Sequence, residues 1–341
     1  MTRALSDNPE HIAQLSRLFE LGAFRGTISP VHGGFHHSMW RLETQSGCFA
    51  VKQLADDMDM NDAATVAQIN ATEVTACEFS RHGIPALFSL HVERQHLQLL
   101  DGEGYLVYPW TTATACHRNG IEEHHAVIVA RTLAQIHRSN INVPELQDVP
   151  AFPVTAERAT DLVKLARQRN VRYSHILEDR LEDILRIVAL HAPALERLKG
   201  HQVISHGDLD HKNILWDEAG EPILIDWESA RRLNPTYELL LEALDWGGIT
   251  AHFDARPFTT ILRAYVDAGG VLVEDMIPAA SDAIQGAWAS WLLYNVGRAV
   301  GLKDTHQRAI GSSQVDLVLS ALLRMEKQKD RLTEIAMRYA S

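Results

Sequence analysis

The stretch HGDLDHKNILW, residues 206–216, sets two carboxylates, two imidazoles, a lysine and an asparagine into its first eight residues and then turns apolar. It lies between the β-rich runs QVIS (202–205) and ILW (214–216), which predicts a loop presented at strand ends by a rigid scaffold. Two chemistries suit these residues. Read as HxDxDH, the side chains of His206, Asp208, Asp210 and His211 are nitrogen and oxygen ligands of the kind a dinuclear metal hydrolase uses. Read as HxDxxxxN, Asp208 and Asn213 stand five residues apart, and a second acid, Asp226, follows in ILIDWE (223–228). That is the spacing of a kinase catalytic loop, in which the first aspartate faces the acceptor hydroxyl while the asparagine and the later aspartate hold magnesium.

The hydrolase reading needs further ligands downstream. Only scattered single residues are available there, no cysteine follows Cys116, and Lys212 and Asn213 go unused. The phosphotransferase reading uses more of the chain. Gly33 and Gly34 in VHGGFHH (31–37), ahead of Ser38, can bring backbone N–H groups close to phosphate because no Cβ intervenes. Lys52 follows in the strand FAVKQL (49–54), and the next helix carries Glu73 and Glu78, which at five-residue spacing point different ways. Glu73, mid-helix, is the acid expected to hold Lys52, with Glu78 facing solvent.

Periodicity supplies the frame. An amphipathic helix is predicted over about 8–22, a hairpin over 39–54, a helix over 62–82 closed by Gly83 and Pro85, and strands at LFSLHV (87–92), HLQLL (96–100) and YLVYPW (105–110). After Trp110 the pattern turns helical, near 122–137, 156–169, 175–198, 237–246, 258–268, 279–300 and 313–339, with Pro193 as the expected kink or break in the third.

Together HGDLDHKNILW, ILIDWE and FAVKQL resemble the aminoglycoside phosphotransferase and choline kinase family, a branch of the protein kinase-like fold. YLVYPW resembles its interlobe hinge, TEVTACEFSRHGIP (72–85) its glutamate-bearing helix, and ARTLAQIH (130–137) the helix after the hinge. The resemblance implies an α+β, bilobal fold: a small antiparallel-sheet N-lobe with one key helix over 1–109, binding nucleotide, and a larger, mainly helical C-lobe over 110–341 with the catalytic loop and acceptor pocket. It implies a small-molecule kinase moving the γ-phosphoryl group of ATP, with GTP as the alternative nucleotide, to a hydroxyl of an aminoglycoside, amino alcohol or sugar. Asp208 would be catalytic. Gly33, Gly34, Ser38, Lys52, Glu73, Tyr108 and Trp110 would surround the nucleotide, and Asn213 and Asp226 would hold Mg2+. Asp210, Glu228, Glu242 and Asp245 are the acids assigned to the acceptor, among tryptophans that include Trp227, Trp246, Trp288 and Trp291.

Two departures stand out. Family members often read HGDLHPGN, where this chain has Asp210, His211 and Lys212, and Glu238 in NPTYEL (234–239) stands where many have aspartate. A non-catalytic nucleotide-binding module is disfavoured because the lysine, both aspartates and the asparagine are all present.

The remaining properties set limits. At 341 residues, with 46% hydrophobic and 22% charged, the chain has material for a sizeable core and for two packed units. A net charge of −12 argues against a nucleic-acid binder and suits a cationic acceptor. The first residues lack a secretory pattern, no run is long enough to span a membrane, and the three cysteines, Cys48, Cys77 and Cys116, form no CxxC pair, so a reducing cytoplasm is expected.

Overall fold

The computed structural model describes residues 4–31, 37–55, 58–148, 153–303 and 305–341. The chain packs into two compact units: Met1–Asn119 with Ile141–Asp148 and His206–Arg231, and Gly120–Asn140 with Val149–Ser205 and Arg232–Ser341. The 206–231 segment therefore packs with the N-terminal residues.

In the first unit, α1 (Pro9–Leu18) starts with Pro9 in its first turn and the Asn8 side chain accepting from His11 N–H. It is shorter than the 8–22 expected, because the chain leaves the helix at Phe19 and turns at Gly22 with φ +76°. Five strands follow: β1 (Phe24–Val31), β2 (Ser38–Thr44), β3 (Gly47–Gln53), β4 (Gln98–Leu100) and β5 (Glu103–Pro109). They form one antiparallel sheet in the order β1-β2-β3-β5-β4.

Strand β1 was not anticipated. Gly26 and Pro30 interrupt its pattern, and the structure accommodates them by a register shift between Phe24 and Ile28 and by placing the strand at the sheet edge. The expected strand LFSLHV is not one. Its N–H groups go to separate partners, Leu87 to the Leu224 carbonyl, Ser89 to the Glu73 carboxylate and Leu90 to the Val107 carbonyl, so no ladder forms.

Alternation across the sheet decides where Lys52 points. Val51 pairs with Val107, and both pack with Ile12, Leu15, Leu42 and Tyr105 on the α1 face. Lys52, one residue on, pairs with Leu106 and points to the opposite face, where Leu54, Leu97 and Leu106 meet Val66 and Ile69 of α2 (Ala63–Arg81). That helix is capped by the Asp62 carboxylate on Ala64 and Thr65 N–H and ends before Gly83, as its sequence predicts. A second sheet, in the order β6-β8-β9, joins β6 (Thr114–Ala115), β8 (Ile214–Trp216) and β9 (Pro222–Leu224).

The second unit is helical: α3 (Glu123–Ser139), α4 (Ala156–Gln168), α5 (Ser174–Asp179), α6 (Leu181–Leu198), α7 (Pro235–Trp246), α8 (Ala255–Asp267), α9 (Ile277–Ala299) and α10 (Thr305–Met337). A small ladder pairs β7 (Val203–Ser205) with β10 (Arg231–Leu233). The helix expected over 175–198 is divided at Arg180, whereas Pro193 lies within α6 without ending it. Leu162, Ile184, Ile187, Leu292, Val296 and Leu319 centre the core of α4, α6, α9 and α10.

Candidate active site

The loop at 206–213 is anchored by buried residues that pack and bond to the segment at 224–229. His206 is fully buried, its Nε2 lies 3.0 Å from the Ile225 carbonyl, and its ring packs on Trp227 with centroids 4.5 Å apart. Trp227 also stacks on Phe79 of α2 at 5.2 Å and donates from Nε1 to the Leu224 carbonyl. Gly207 has φ +79°, and a Cβ there would overlap the Ser229 carbonyl oxygen. The loop can therefore follow its path past 225–229 only with glycine at that position.

Within the loop, Asn213 Nδ2 donates to the Asp208 carbonyl and to Asp208 Oδ2, each at 2.8 Å. Burial raises the Asp208 carboxyl to a pKa of about 6, with the Asp210 charge adding to the shift and Lys212 and Asn213 opposing it. Asp210 is committed to its own turn: Oδ1 accepts from Lys212 N–H at 2.7 Å, and Oδ2 lies 2.6 Å from Lys212 Nζ. His206 is thus tied to the Ile225 carbonyl beyond β9, and Asp210 to the backbone and ammonium of Lys212, which the HxDxDH hydrolase reading did not anticipate.

Asp226 follows β9 in the left-handed region, with φ 62° and ψ 57°. For a non-glycine residue this is an uncommon conformation of the kind that collects at functional sites. It meets Lys52: Nζ donates to Asp226 Oδ1 and to Glu228 Oε2, both at 2.7 Å. Burial alone would lower the Lys52 pKa, but the two carboxylates outweigh it and the net shift is upward. Burial likewise opposes ionisation of Glu228, yet the His37 hydrogen bond and the Lys52 charge hold its carboxyl well below the ordinary range.

Glu73 is elsewhere engaged. Its Oε2 accepts from Ser89 N–H at 2.7 Å and its Oε1 from the Tyr108 hydroxyl at 2.6 Å. Burial pushes its pKa up, with those two bonds opposing. Among the described residues, the ion pairs of Lys52 run to Asp226 and Glu228, not to Glu73. Lys52 and Glu73 instead line one cavity of about 500 Å3, together with His37, Leu54, Ile69 and Glu228.

Gly33 and Gly34 lie outside the described residues. Ser38 is exposed at the start of β2, opposite Gln53. Trp110 directly follows β5, where its N–H donates to the Cys48 carbonyl and the Arg41 guanidinium sits 5.3 Å from its ring centroid. Glu228, assigned to the acceptor from sequence, is a partner of Lys52 and of His37, whose Nε2 lies 3.0 Å from Glu228 Oε2. Glu242 and Asp245 belong to α7 of the second unit, Glu242 buried and Asp245 half-buried. Trp227 and Trp246 are core residues. The parts played by His37 and Glu228 were missed; the one signal available was their position, beside the glycine pair and two residues after Asp226.

The model of the phosphotransferase enzyme family matches residues 27–276, which includes every one of the residues just described. The chain belongs to that family. It is a phosphotransferase, a small-molecule kinase whose acceptor is an alcohol group. Solved structures share the fold of this phosphotransferase at low identity. A spectinomycin phosphotransferase, in complex with ADP and spectinomycin, is 13% identical with a TM-score of 0.61, over 96% of this chain and 98% of that one. A choline/ethanolamine kinase family protein from Mesorhizobium loti is 16% identical with a TM-score of 0.59, over 97% and 99%. An amicoumacin kinase in complex with AMP-PNP, Ca2+ and Ami is 12% identical with a TM-score of 0.62, over 97% and 94%. No curated protein matches. The antiparallel sheet with α2 and the helical remainder are the α+β kinase-like fold that the motifs implied. Among the described residues no helix is long and apolar enough to cross a membrane.

Proposed function

We propose that this phosphotransferase moves the γ-phosphoryl group of ATP, or of GTP, to a hydroxyl of a small and preferably cationic acceptor, with Asp208 as the catalytic carboxylate. One observation carries the reading: Lys52 meets Asp226 and Asn213 is locked onto Asp208, so each of the four residues the transfer needs is held by another of the four. The 1–109 segment would serve the nucleotide and the helices after 110 the acceptor.

The residues present fit a hard divalent cation. Both amide hydrogens of Asn213 are given to Asp208, which leaves Oδ1 as an acceptor, and Asp226 keeps Oδ2 beyond its bond to Lys52. Oxygen donors of this kind suit Mg2+. When bound, the ion would offset negative charge on the phosphates. Lys52 has three N–H donors; two are taken by carboxylates, and the third can meet a phosphate oxygen. Asp208, with a pKa of about 6, is largely ionised at neutral pH. It is too weak a base to remove an alcohol proton in advance, so it orients the hydroxyl and accepts its proton as the bond to phosphorus forms.

A cationic or ring-bearing acceptor is supported by the net charge of −12 and by Trp291 and Tyr294 on α9. These rings stack at 5.3 Å and 14° and are 44% and 47% exposed, unlike a core pair. Spectinomycin and the amino alcohols named for the structural relatives are of this kind. Among the described residues Cys48, Cys77 and Cys116 form no disulfide, which supports a reducing compartment.

Thermal unfolding tests the nucleotide site. Nucleotide with magnesium at 100 times its dissociation constant should add about 2.7 kcal/mol of stability to the wild type and none to Asp226→Ala. Stabilisation by zinc alone would return the hydrolase reading.

A further inference from the structure

The resemblance gives the task of holding the lysine to the acid of α2. In this chain that acid, Glu73, is bonded to Ser89 and Tyr108, and a cavity of about 500 Å3 is lined by both Glu73 and Lys52. Lys52 is held instead by Glu228, 176 residues along the chain, and Glu228 is itself held by His37. The His37 ring is fixed at both ends. Ala55 N–H donates to Nδ1 at 3.1 Å, so the ring proton is on Nε2, which donates to Glu228 Oε2 at 3.0 Å. The same oxygen accepts from Lys52 Nζ at 2.7 Å. Ala55 lies three residues after Lys52, so the clasp runs from the end of β3 through His37 and Glu228 back to the Lys52 ammonium.

We propose, resting on the nucleotide role of Lys52 given above, that His37 is a positioning residue which fixes Glu228 and thereby aims Lys52 at the nucleotide phosphates, taking the place of a Lys52–Glu73 pair. The consequence is directional. With Asp226 and Glu228 each taking one N–H of the ammonium, the direction of the third is set, and it stays set only while Glu228 is held. An imidazole braced by a backbone N–H on one side and donating on the other does this with two rotatable bonds, whereas an unbraced glutamate samples many rotamers. His37 Nε2 and Lys52 Nζ share Glu228 Oε2, and the effect of His37 on nucleotide passes through that oxygen.

Calorimetric titration of MgATP into the wild type, His37→Ala, His37→Gln, Glu228→Gln and the His37→Ala/Glu228→Gln double variant tests this, with the Tm of each measured without nucleotide. His37→Ala should weaken MgATP binding about tenfold, the scale of one lost hydrogen bond to a charged group. His37→Gln, which keeps an N–H donor near the position of Nε2, should recover most of that. The double variant should bind no more weakly than Glu228→Gln, because the two residues act in series. If Glu228→Gln does not fold, the contrast between His37→Ala and His37→Gln decides. A wild type that binds MgATP with His37→Ala binding equally well, additive losses in the double variant, or His37→Gln as weak as His37→Ala with the same fall in Tm would each overturn the role of His37 while leaving the kinase reading standing. A wild type that binds neither MgATP nor MgGTP would overturn both.

Discussion

Asn213 spends both amide hydrogens on Asp208, one on its carbonyl and one on its carboxylate, at 2.8 Å each. The residue proposed to face the metal and the residue proposed as catalytic are therefore one unit, five positions apart, and neither can turn without the other. Asp208→Asn preserves the shape of that unit and removes only the charge. It should leave MgATP affinity within about threefold while lowering transfer to an acceptor found by screening by about 10²-fold or more. Steady-state kinetics beside calorimetry checks this, and comparable turnover would remove Asp208 from its role.

The acid limb of kcat/KM should follow Asp208. Its carboxyl, raised by burial and then by Asp210 to a pKa of about 6, must be ionised to accept the proton, so activity falls as pH drops through that value. Asp210→Asn removes the neighbouring charge and should move the limb to lower pH. Lys212→Met removes an opposing charge and should move it higher. A limb unmoved in both variants would exclude Asp208 as its source.

The same shift bears on stability, with a definite sign. Asp208 titrates higher in the folded chain than its ordinary value of 3.8, so its contribution favours folding below that value and is lost as pH rises through about 6. Asp208→Asn should therefore be more stable than the wild type at pH 8, by on the order of 1–3 kcal/mol, and lose that advantage near pH 4. Urea unfolding at the two pH values measures it; a wild type more stable than the variant at pH 8 would contradict the sign.

Gly207→Ala should damage the loop rather than tune it. The residue has φ +79°, and the added methyl would meet a backbone carbonyl, that of Ser229, which has no flexible end to move aside. A loss of about 2–4 kcal/mol is expected, with nucleotide binding impaired because Ser229 is in the segment that carries Asp226 and Glu228. Unchanged Tm would show that the 206–208 backbone can relax.

In the second unit, Glu238 is fully buried on α7, its Oε2 2.8 Å from His137 Nε2 on α3, while His137 Nδ1 lies 2.7 Å from the Tyr265 hydroxyl on α8. The glutamate that departs from the family's usual aspartate thus ties three helices together. Glu238→Ala leaves buried polar groups without their partner and should cost about 3–5 kcal/mol in chemical denaturation. A loss under about 1 kcal/mol would mean the network is dispensable.

The groups proposed to take part in the transfer, and their order, were legible from sequence alone. Lys52, Asp208, Asn213 and Asp226 occur in the order and spacing that phosphoryl transfer needs, and local chemistry placed each on its element: alternation put Lys52 on a strand, Asp62 and Gly83 bounded α2, and Gly207 allowed the loop. These properties depend on neighbours a few residues away, which a sequence displays. The pairing of the charges did not follow from it. Glu73 and Glu228 are both acids within reach of the same lysine, and which one meets it was decided by distant partners: Ser89 and Tyr108 take Glu73, and His37 delivers Glu228. β1, with its glycine and proline, became a strand only because β2 offered it a ladder, and LFSLHV failed to become one because a helix carboxylate took the Ser89 N–H. A buried polar group must find some partner, but which one it finds depends on what the folded chain brings near, and only the tertiary structure determines that.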